Sequence, residues 1–124
     1  MDQTSLDGFE RFTKRGRSFK PKVTIRARGQ IGFNNGSIQR FGLDKYDYVV
    51  LYYSKEKNQL AIQLTNNSDE EGAIRLAKKT GNYFIAGKAF LDFYDVDYNE
   101  KVTYDAEESA ERVIIVKLKA RVVG

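Results

Sequence analysis

Residues 23–64 read VTIRARGQIGFNNGSIQRFGLDKYDYVVLYYSKEKNQLAIQL, and apolar side chains recur here with the two-residue period of β-strands. Residues 23–28 alternate strictly, with arginines on the polar side, and residues 46–54 are rich in β-forming Tyr and Val. Lys55–Asn58 is a polar turn before a returning strand over residues 60–64. Between the strands, Ser37–Phe41 is predicted to form one helical turn that ends at Gly42.

A second stretch, residues 74–118, repeats this order of features when Gly29 is aligned with Gly81. Apolar positions then coincide in pairs: Ile31 with Tyr83, Phe33 with Ile85, Ile38 with Phe90, Phe41 with Phe93, Leu60 with Ile114 and Ile62 with Val116. Lys88–Tyr94 is the predicted second helical turn, with Phe90 and Phe93 facing the core, and Asp105–Glu111 is the predicted loop of the second hairpin. We interpret the two stretches as a duplication, the alternative being two ordinary β-rich segments with similar alternation.

These patterns predict a mainly β (α+β) protein with a small β-barrel. Two strand–helical turn–hairpin repeats, 23–64 and 74–118, would be related by pseudo-twofold symmetry within one domain, 22–124. Residues 1–21 are expected to form a basic N-terminal arm, because glycines interrupt any periodicity and Phe residues are scattered among Arg and Lys.

The net charge of +4 is unevenly distributed along the chain. The first 43 residues carry +6 and the remaining 81 carry −2, and residues 92–111 contain eight acidic residues and a single lysine. This asymmetry favours an anionic partner for the N-terminal part. A solvated basic tail is the alternative interpretation.

Composition argues against several functional classes. The chain has no Cys and no His, so disulfides, thiolate chemistry and typical transition-metal sites are not expected. No apolar run approaches the length of a membrane span, and the N-terminus lacks the apolar segment of a signal peptide, which favours a cytoplasmic protein. No phosphate-binding glycine motif or marked nucleophile is present, so we expect a protein that is not an enzyme and needs no cofactor. Asp92, Asp95 and Asp97 lack the spacing of a calcium loop.

The first stretch resembles the AbrB/SpoVT/MazE-type DNA-binding unit, one of the cradle-loop barrels. In that family, a glycine followed by a polar and an aliphatic residue joins the first strands, and a Gly-Leu-acid turn leads to the hairpin. The corresponding residues here are Gly29-Gln30-Ile31 and Gly42-Leu43-Asp44. The chain departs from the family in having Asn34 where a proline is usual, and in holding two units in one chain, as double-psi barrels do.

The resemblance implies a transcriptional regulator that binds duplex DNA through its first strands and the adjoining turn. Carried over by position, the DNA-binding residues are Arg26, Arg28 and Gln30, with Asn34, Asn35 and Arg40 nearby. The charge of the arm adds expected phosphate contacts from Lys14, Arg15, Arg17, Lys20 and Lys22.

The leading alternative is a protein-interaction or adaptor module. Eight tyrosines are many for a chain of 124 residues, and Tyr is favoured at protein interfaces. The basic first half and the acidic second half could also pair head to tail between molecules, which would make a homo-oligomer. If the first stretch does not bind DNA, Arg26 and Arg28 only line a solvated strand face or pair with acidic residues of the second half.

Overall fold

The computed structural model describes residues 7–10, 20–80 and 82–119. Within these residues, nine strands and two α-helices follow one another: β1 (Lys22–Ile25), β2 (Gln30–Phe33), α1 (Asn35–Phe41), β3 (Tyr48–Ser54), β4 (Gln59–Thr65), β5 (Ile74–Arg75), β6 (Ala77–Lys79), β7 (Asn82–Ala86), α2 (Lys88–Phe93), β8 (Val102–Ala110) and β9 (Val113–Lys117). A 3-10 turn, Leu43–Lys45, follows α1. The protein is therefore mainly β, as the alternation predicted.

The strands form one antiparallel sheet in the order β5-β3-β4-β9-β8-β1-β2-β7-β6. Its two end strands, β5 and β6, are separated in sequence only by Leu76, and they pair with β3 and β7 respectively. One short segment of chain thus contacts both ends of the sheet. The sheet is a nearly closed barrel, in agreement with the predicted architecture.

The barrel interior is filled by the apolar side of each strand. Val23, Ile31 and Ile85 are fully buried, and neighbouring strands contribute further buried aliphatic side chains: Ile25, Val49, Leu60, Ile62, Ile114 and Val116. Leu43, from the 3-10 turn, closes the interior on the side of α1 with no exposed surface. Burial of side chains of this size contributes about 1.5–3 kcal/mol each before the cost of ordering them.

In the first half, two strands precede α1 and a hairpin follows it, whereas in the second half three strands, β5, β6 and β7, precede α2 and a hairpin follows it. The predicted helical turns Ser37–Phe41 and Lys88–Tyr94 agree with α1 and α2 to within two residues at each end. Gly81, the predicted counterpart of Gly29, lies outside the described residues.

Two local predictions were wrong. The expected acidic loop Asp105–Glu111 is mostly strand, because β8 continues to Ala110 and the hairpin turns at Glu111-Arg112, where Arg112 has φ 66°. Acidic side chains are compatible with this strand because Asp105 and Glu107 lie on its exposed side, while Ala106 between them is buried.

The second correction concerns α2. Phe93 was expected in the core, but 79% of its surface is exposed, and Leu91 is the fully buried residue of the helix. A six-residue helix can bury only one narrow face, and Leu91 occupies it. Phe93 instead packs its edge against Tyr94, with ring centroids 4.9 Å apart.

Candidate nucleic-acid interface

A tight turn, residues 26–29, joins β1 and β2 and carries two of the predicted DNA-binding arginines. Arg26 N donates to Gln30 O (2.8 Å), and Gly29 N donates to Arg26 O (2.8 Å). Gly29 has φ +82°, and a Cβ at this position would lie 2.6 Å from the Cβ of Lys88. Since no other residue fits this backbone without movement, Gly29 holds the turn against the start of α2. Arg28 is exposed at the tip.

The guanidinium of Arg26 lies flat across the outside of the sheet. It donates from Nη1 to Gln30 Oε1 (2.8 Å) and from Nη2 to Asn82 Oδ1 (3.4 Å). Gly32 lies directly beneath it, and a Cβ there would be 2.2 Å from Nη1. The two amide contacts use two of the five guanidinium donors and hold the charge in one position above β2 and β7.

Four adjacent strands, β1, β2, β7 and β6, form the outer surface around Arg26. Thr24, Gly32, Phe84 and Ala77 lie opposite one another in a single row across these strands. Lys79 pairs with Asn82 in the register, and its Nζ lies 5.7 Å from the centroid of the Phe84 ring. We call this surface the cationic face and define it by Lys22, Arg26, Arg28, Gln30, Lys79 and Asn82. None of its four strands contains an Asp or Glu.

The edge of the cationic face at β1 is partly neutralised. Lys22 forms an ion pair with Asp105 of β8, the neighbouring strand. The hydrogen bond from Lys22 and its positive charge, with a smaller effect from Lys20, lower the pKa of the Asp105 carboxyl below its usual value. Part of the basic first half thus pairs with the acidic second half, which limits the net positive charge at this edge.

Both the oxygen and the nitrogen of the Asn34 side-chain amide form hydrogen bonds that stabilise the fold. It is the N-cap of α1, and its Oδ1 accepts hydrogen bonds from Ser37 N (2.8 Å) and Lys22 N (3.0 Å). Its Nδ2 donates to Lys20 O (2.9 Å). The amide therefore joins the start of the helix to the entry of β1, and its carbonyl oxygen is already occupied by two backbone donors.

The structure divides the predicted site residues into two groups. Arg26, Arg28 and Gln30 lie at one end of the β1–β2 hairpin, and Lys20, Lys22 and Asn34 at the other, roughly 13 Å away along β1 at about 3.3 Å per residue. Asn35 begins α1, and Arg40 is exposed in its last turn. Lys14, Arg15 and Arg17 lie outside the described residues.

Sequence reasoning missed Lys79 and Asn82, which the second half contributes to the cationic face. A signal was present, because residues 72–91 contain four basic residues and no acid. The average charge of the whole second half concealed this basic stretch, because eight acidic residues follow it in residues 92–111.

A second candidate surface lies beside α2. Tyr53, Phe90, Phe93 and Tyr94 form a cluster in which Tyr94 contacts each of the other three rings at centroid distances of 4.9–5.0 Å. It borders a groove of about 960 Å³, which we call the aromatic groove. Its wall consists of aromatic and apolar side chains, three carboxylates, two lysines and two amides: Tyr53, Phe93, Tyr94, Val96, Val102, Tyr104, Leu118, Asp95, Asp97, Glu100, Lys55, Lys119, Asn58 and Asn99.

The helix beside this groove is stabilised by a polar network. Lys88 Nζ donates to Asp92 Oδ2 (2.8 Å), and the hydroxyl of Tyr98 donates to Asp92 Oδ1 (2.6 Å). The hydrogen bond from Lys88, followed by that from Tyr98, lowers the pKa of the Asp92 carboxyl, and the same pairing raises the pKa of Lys88. Within the described residues, no three acidic side chains are grouped as a metal site would require.

No helix among the described residues is long and apolar enough to cross a membrane. Comparison of the chain with models of protein families, with curated proteins and with solved structures finds no significant match.

Proposed function

We propose that this protein binds duplex DNA through the cationic face and acts as a transcriptional regulator of the AbrB-like type, without enzymatic activity. One observation carries the proposal. Two acid-free stretches, residues 20–43 and 72–91, supply β1, β2, β7 and β6, which are neighbours in the sheet. The barrel thereby gains a positively charged surface to which these four strands contribute no acidic side chain, while the acidic segment from Asp92 to Glu111 supplies other elements.

The geometry suits phosphate and base contacts in different parts of this face. Arg26 and Lys79 are positioned on the sheet, where their charges can neutralise phosphates of adjacent nucleotides. Arg28 projects from the tip of a two-stranded hairpin, the kind of element that the major groove admits, and arginine pairs well with the edge of guanine. Gln30 and Asn82 bring side-chain amides between the charged groups. The basic residues of the arm would add phosphate contacts.

We further propose that residues 23–64 and 74–118 are repeats related by a pseudo-twofold axis. The strand order around the barrel supports this. It stays the same when β1 is exchanged with the β5/β6 segment, β2 with β7, β3 with β8 and β4 with β9. The register supports the same equivalence. Ile31 pairs with Ile85 and Phe33 with Tyr83, and these pairs interconvert when Ile31 is matched to Tyr83 and Phe33 to Ile85.

The pairing of β4 with β9 gives independent support. Leu60 pairs with Val116, and Ile62 pairs with Ile114. These pairs interconvert under the sequence alignment of Leu60 with Ile114 and Ile62 with Val116. Experimental coordinates in which the two stretches fail to superpose would refute the repeat. Such a repeat would place two related turns around one DNA-facing sheet, as two chains do in the single-copy proteins that the first stretch resembles.

Fluorescence anisotropy with a labelled mixed-sequence duplex at low salt tests DNA binding. Binding should weaken steeply as salt is raised, and Lys79→Ala should lower affinity and flatten the dependence on salt by about one unit of slope. Lys57→Ala is the matched control, because Lys57 is exposed in the β3–β4 turn and should leave affinity unchanged.

Removal of a negative charge near the cationic face should have the opposite effect to Lys79→Ala. Asp105→Asn should strengthen binding, because it removes a negative charge at the edge of the cationic face and releases Lys22. No binding by the intact protein at tens of micromolar, or equal effects of Lys79→Ala and Lys57→Ala, would reject the proposal.

The second candidate is a protein-interaction module that uses the aromatic groove. The observation in its favour is the exposure of Phe93, at 79%, next to the partly exposed Tyr94. Aromatic side chains are enriched at the centre of protein interfaces because they bury much area with little loss of conformational freedom. A protein can use both surfaces, since none of the six residues that define the cationic face lines the groove.

A further inference from the structure

The aromatic groove combines exposed rings with carboxylates at one end of the barrel. Phe93 and Tyr94 extend from the end of α2, and three carboxylates lie on the loop that follows, those of Asp95, Asp97 and Glu100. Two lysines, Lys55 and Lys119, also line the groove, so acidic side chains outnumber basic ones by three to two. Val102 and Leu118 form apolar wall between them. This chemistry suits a peptide that alternates cationic and aromatic side chains, because a guanidinium can stack on a ring and pair with a carboxylate, while a phenyl group fills the apolar part.

One segment of this chain has that chemistry. Residues 11–19 read RFTKRGRSF, with four basic residues, two phenylalanines and no acid. We propose that the aromatic groove binds segment 11–19 of a second copy of this chain. The inference rests on the interaction-module candidate and is independent of DNA binding.

The entry of the chain into the barrel favours a second copy over the same molecule. Lys20 O accepts from Asn34 Nδ2 (2.9 Å), and Pro21 O accepts from Ala106 N (3.1 Å), so both residues lie at the Ala106 end of the β1–β8 pair. The groove lies at the other end, where Val102 pairs with Ile25, about 13 Å along β8 at the usual rise of a strand. A groove on a neighbouring molecule can receive the segment without a reversal of the chain.

Each molecule then offers one groove and one segment, so the contact is heterologous and joins copies head to tail. Opposite charges on the two partners make the association sensitive to salt.

The absence of cysteine from the sequence permits a direct test in the full-length protein. A Ser18→Cys variant is mixed with a larger, tagged Asn99→Cys variant in a thiol–disulfide buffer at low salt without DNA, and the mixed dimer is followed on non-reducing gels. A tagged Ser68→Cys variant is the control, because Ser68 is exposed in the loop between β4 and β5. Groove binding should accelerate the first cross-link roughly tenfold over the control, because a bound segment holds the thiols at high effective concentration.

High salt, or Asp97→Asn with Glu100→Gln in the tagged partner, should reduce the rate to that of the control. Equal rates for the two tagged partners would overturn the proposal. A doubly substituted chain, Ser18→Cys with Asn99→Cys, tests the source of the segment. If it closes an intramolecular disulfide faster than it joins a second molecule, the segment occupies its own groove, and the second-copy proposal is rejected. Neither result depends on DNA affinity.

Discussion

Replacement of Asn34 by alanine tests whether this residue stabilises the fold rather than reads DNA. The substitution removes the N-cap of α1, which costs about 1 kcal/mol on average. It also removes the acceptor for the partly buried N–H of Lys22, and an unpaired group of this kind costs about 1 kcal/mol more. We therefore expect the free energy of unfolding to fall by about 2 kcal/mol.

Urea denaturation followed by circular dichroism measures this loss. With a slope of about 1–2 kcal/mol per molar urea, the midpoint should fall by roughly 1–2 M. Asn35→Ala is the matched control. Asn35 is the first residue of α1 and not its cap, so its replacement should change stability by less than about 0.5 kcal/mol.

DNA affinity separates the two roles of Asn34. Under conditions in which the Asn34→Ala variant remains folded, its affinity for duplex DNA should stay within about twofold of the parent, whereas loss of a good base contact would cost roughly 1–3 kcal/mol. Equal midpoints for Asn34→Ala and Asn35→Ala would refute the capping argument. A large loss of affinity with an unchanged midpoint would show that Asn34 contacts DNA.

Three further experiments test the packing and the electrostatics of the barrel. Gly29→Ala should destabilise the protein by roughly 2–4 kcal/mol, because strain at φ +82° is joined by overlap with α2, whereas Gly72→Ala, at φ +84° with its nearest neighbour at 3.7 Å, should cost only about 1 kcal/mol in urea melts. Leu91→Ala should cost about 2–5 kcal/mol and Phe93→Ala less than about 1 kcal/mol by the same assay, and the reverse order would restore Phe93 to the core. The ionised Asp92 carboxyl stabilises the fold above its ordinary pKa of 3.8, and this stabilisation is lost as the pH falls through the lowered pKa of the folded state. Asp92→Asn removes the stabilisation at every pH, so the difference in urea midpoint between parent and variant should shrink in acid.

The sequence predicted most of the architecture because its elements are marked by local signals. Alternation of apolar residues marked the strands, and Gly42 marked the end of α1, where it adopts φ 62°. The turn at Gly29 was also visible, since only glycine readily adopts its backbone conformation. Each of these signals lies within a few residues of the feature that it specifies.

The errors arose where a distant neighbour decides the outcome. β8 was predicted to end near Tyr104, because acidic residues are poor strand formers. Its extension depends on pairing with β9 on one edge, and Asp105 pairs with Lys22 across the other. Phe93 was predicted to be buried because it is large and apolar, but Leu91 is the residue of α2 that faces the core. A helix of six residues is too short for the periodicity of its apolar residues to show which side faces the core.

The candidate site was only half visible for a related reason. Arg26 and Arg28 were found from their alternation and from the neighbouring glycine, whereas Lys79 and Asn82 join them only because β2 pairs with β7. The contact of Arg26 with Asn82 spans 56 positions of sequence, a distance over which no local pattern carries information.

Strand order, more than net charge, makes DNA binding a physically reasonable function for this chain. A net charge of +4 spread evenly over a barrel would produce a weak potential, and ions screen it beyond about 10 Å at moderate salt. Here the boundary between Leu91 and Asp92 divides the second half into a basic and an acidic part. The basic part forms β6 and β7 beside β2, while the acidic part passes through α2 and reaches β8. Because β8 borders β1, the potential should weaken towards Lys22 and be strongest around Arg26 and Lys79, so a docked duplex would lie nearer β7 and β6 than β8.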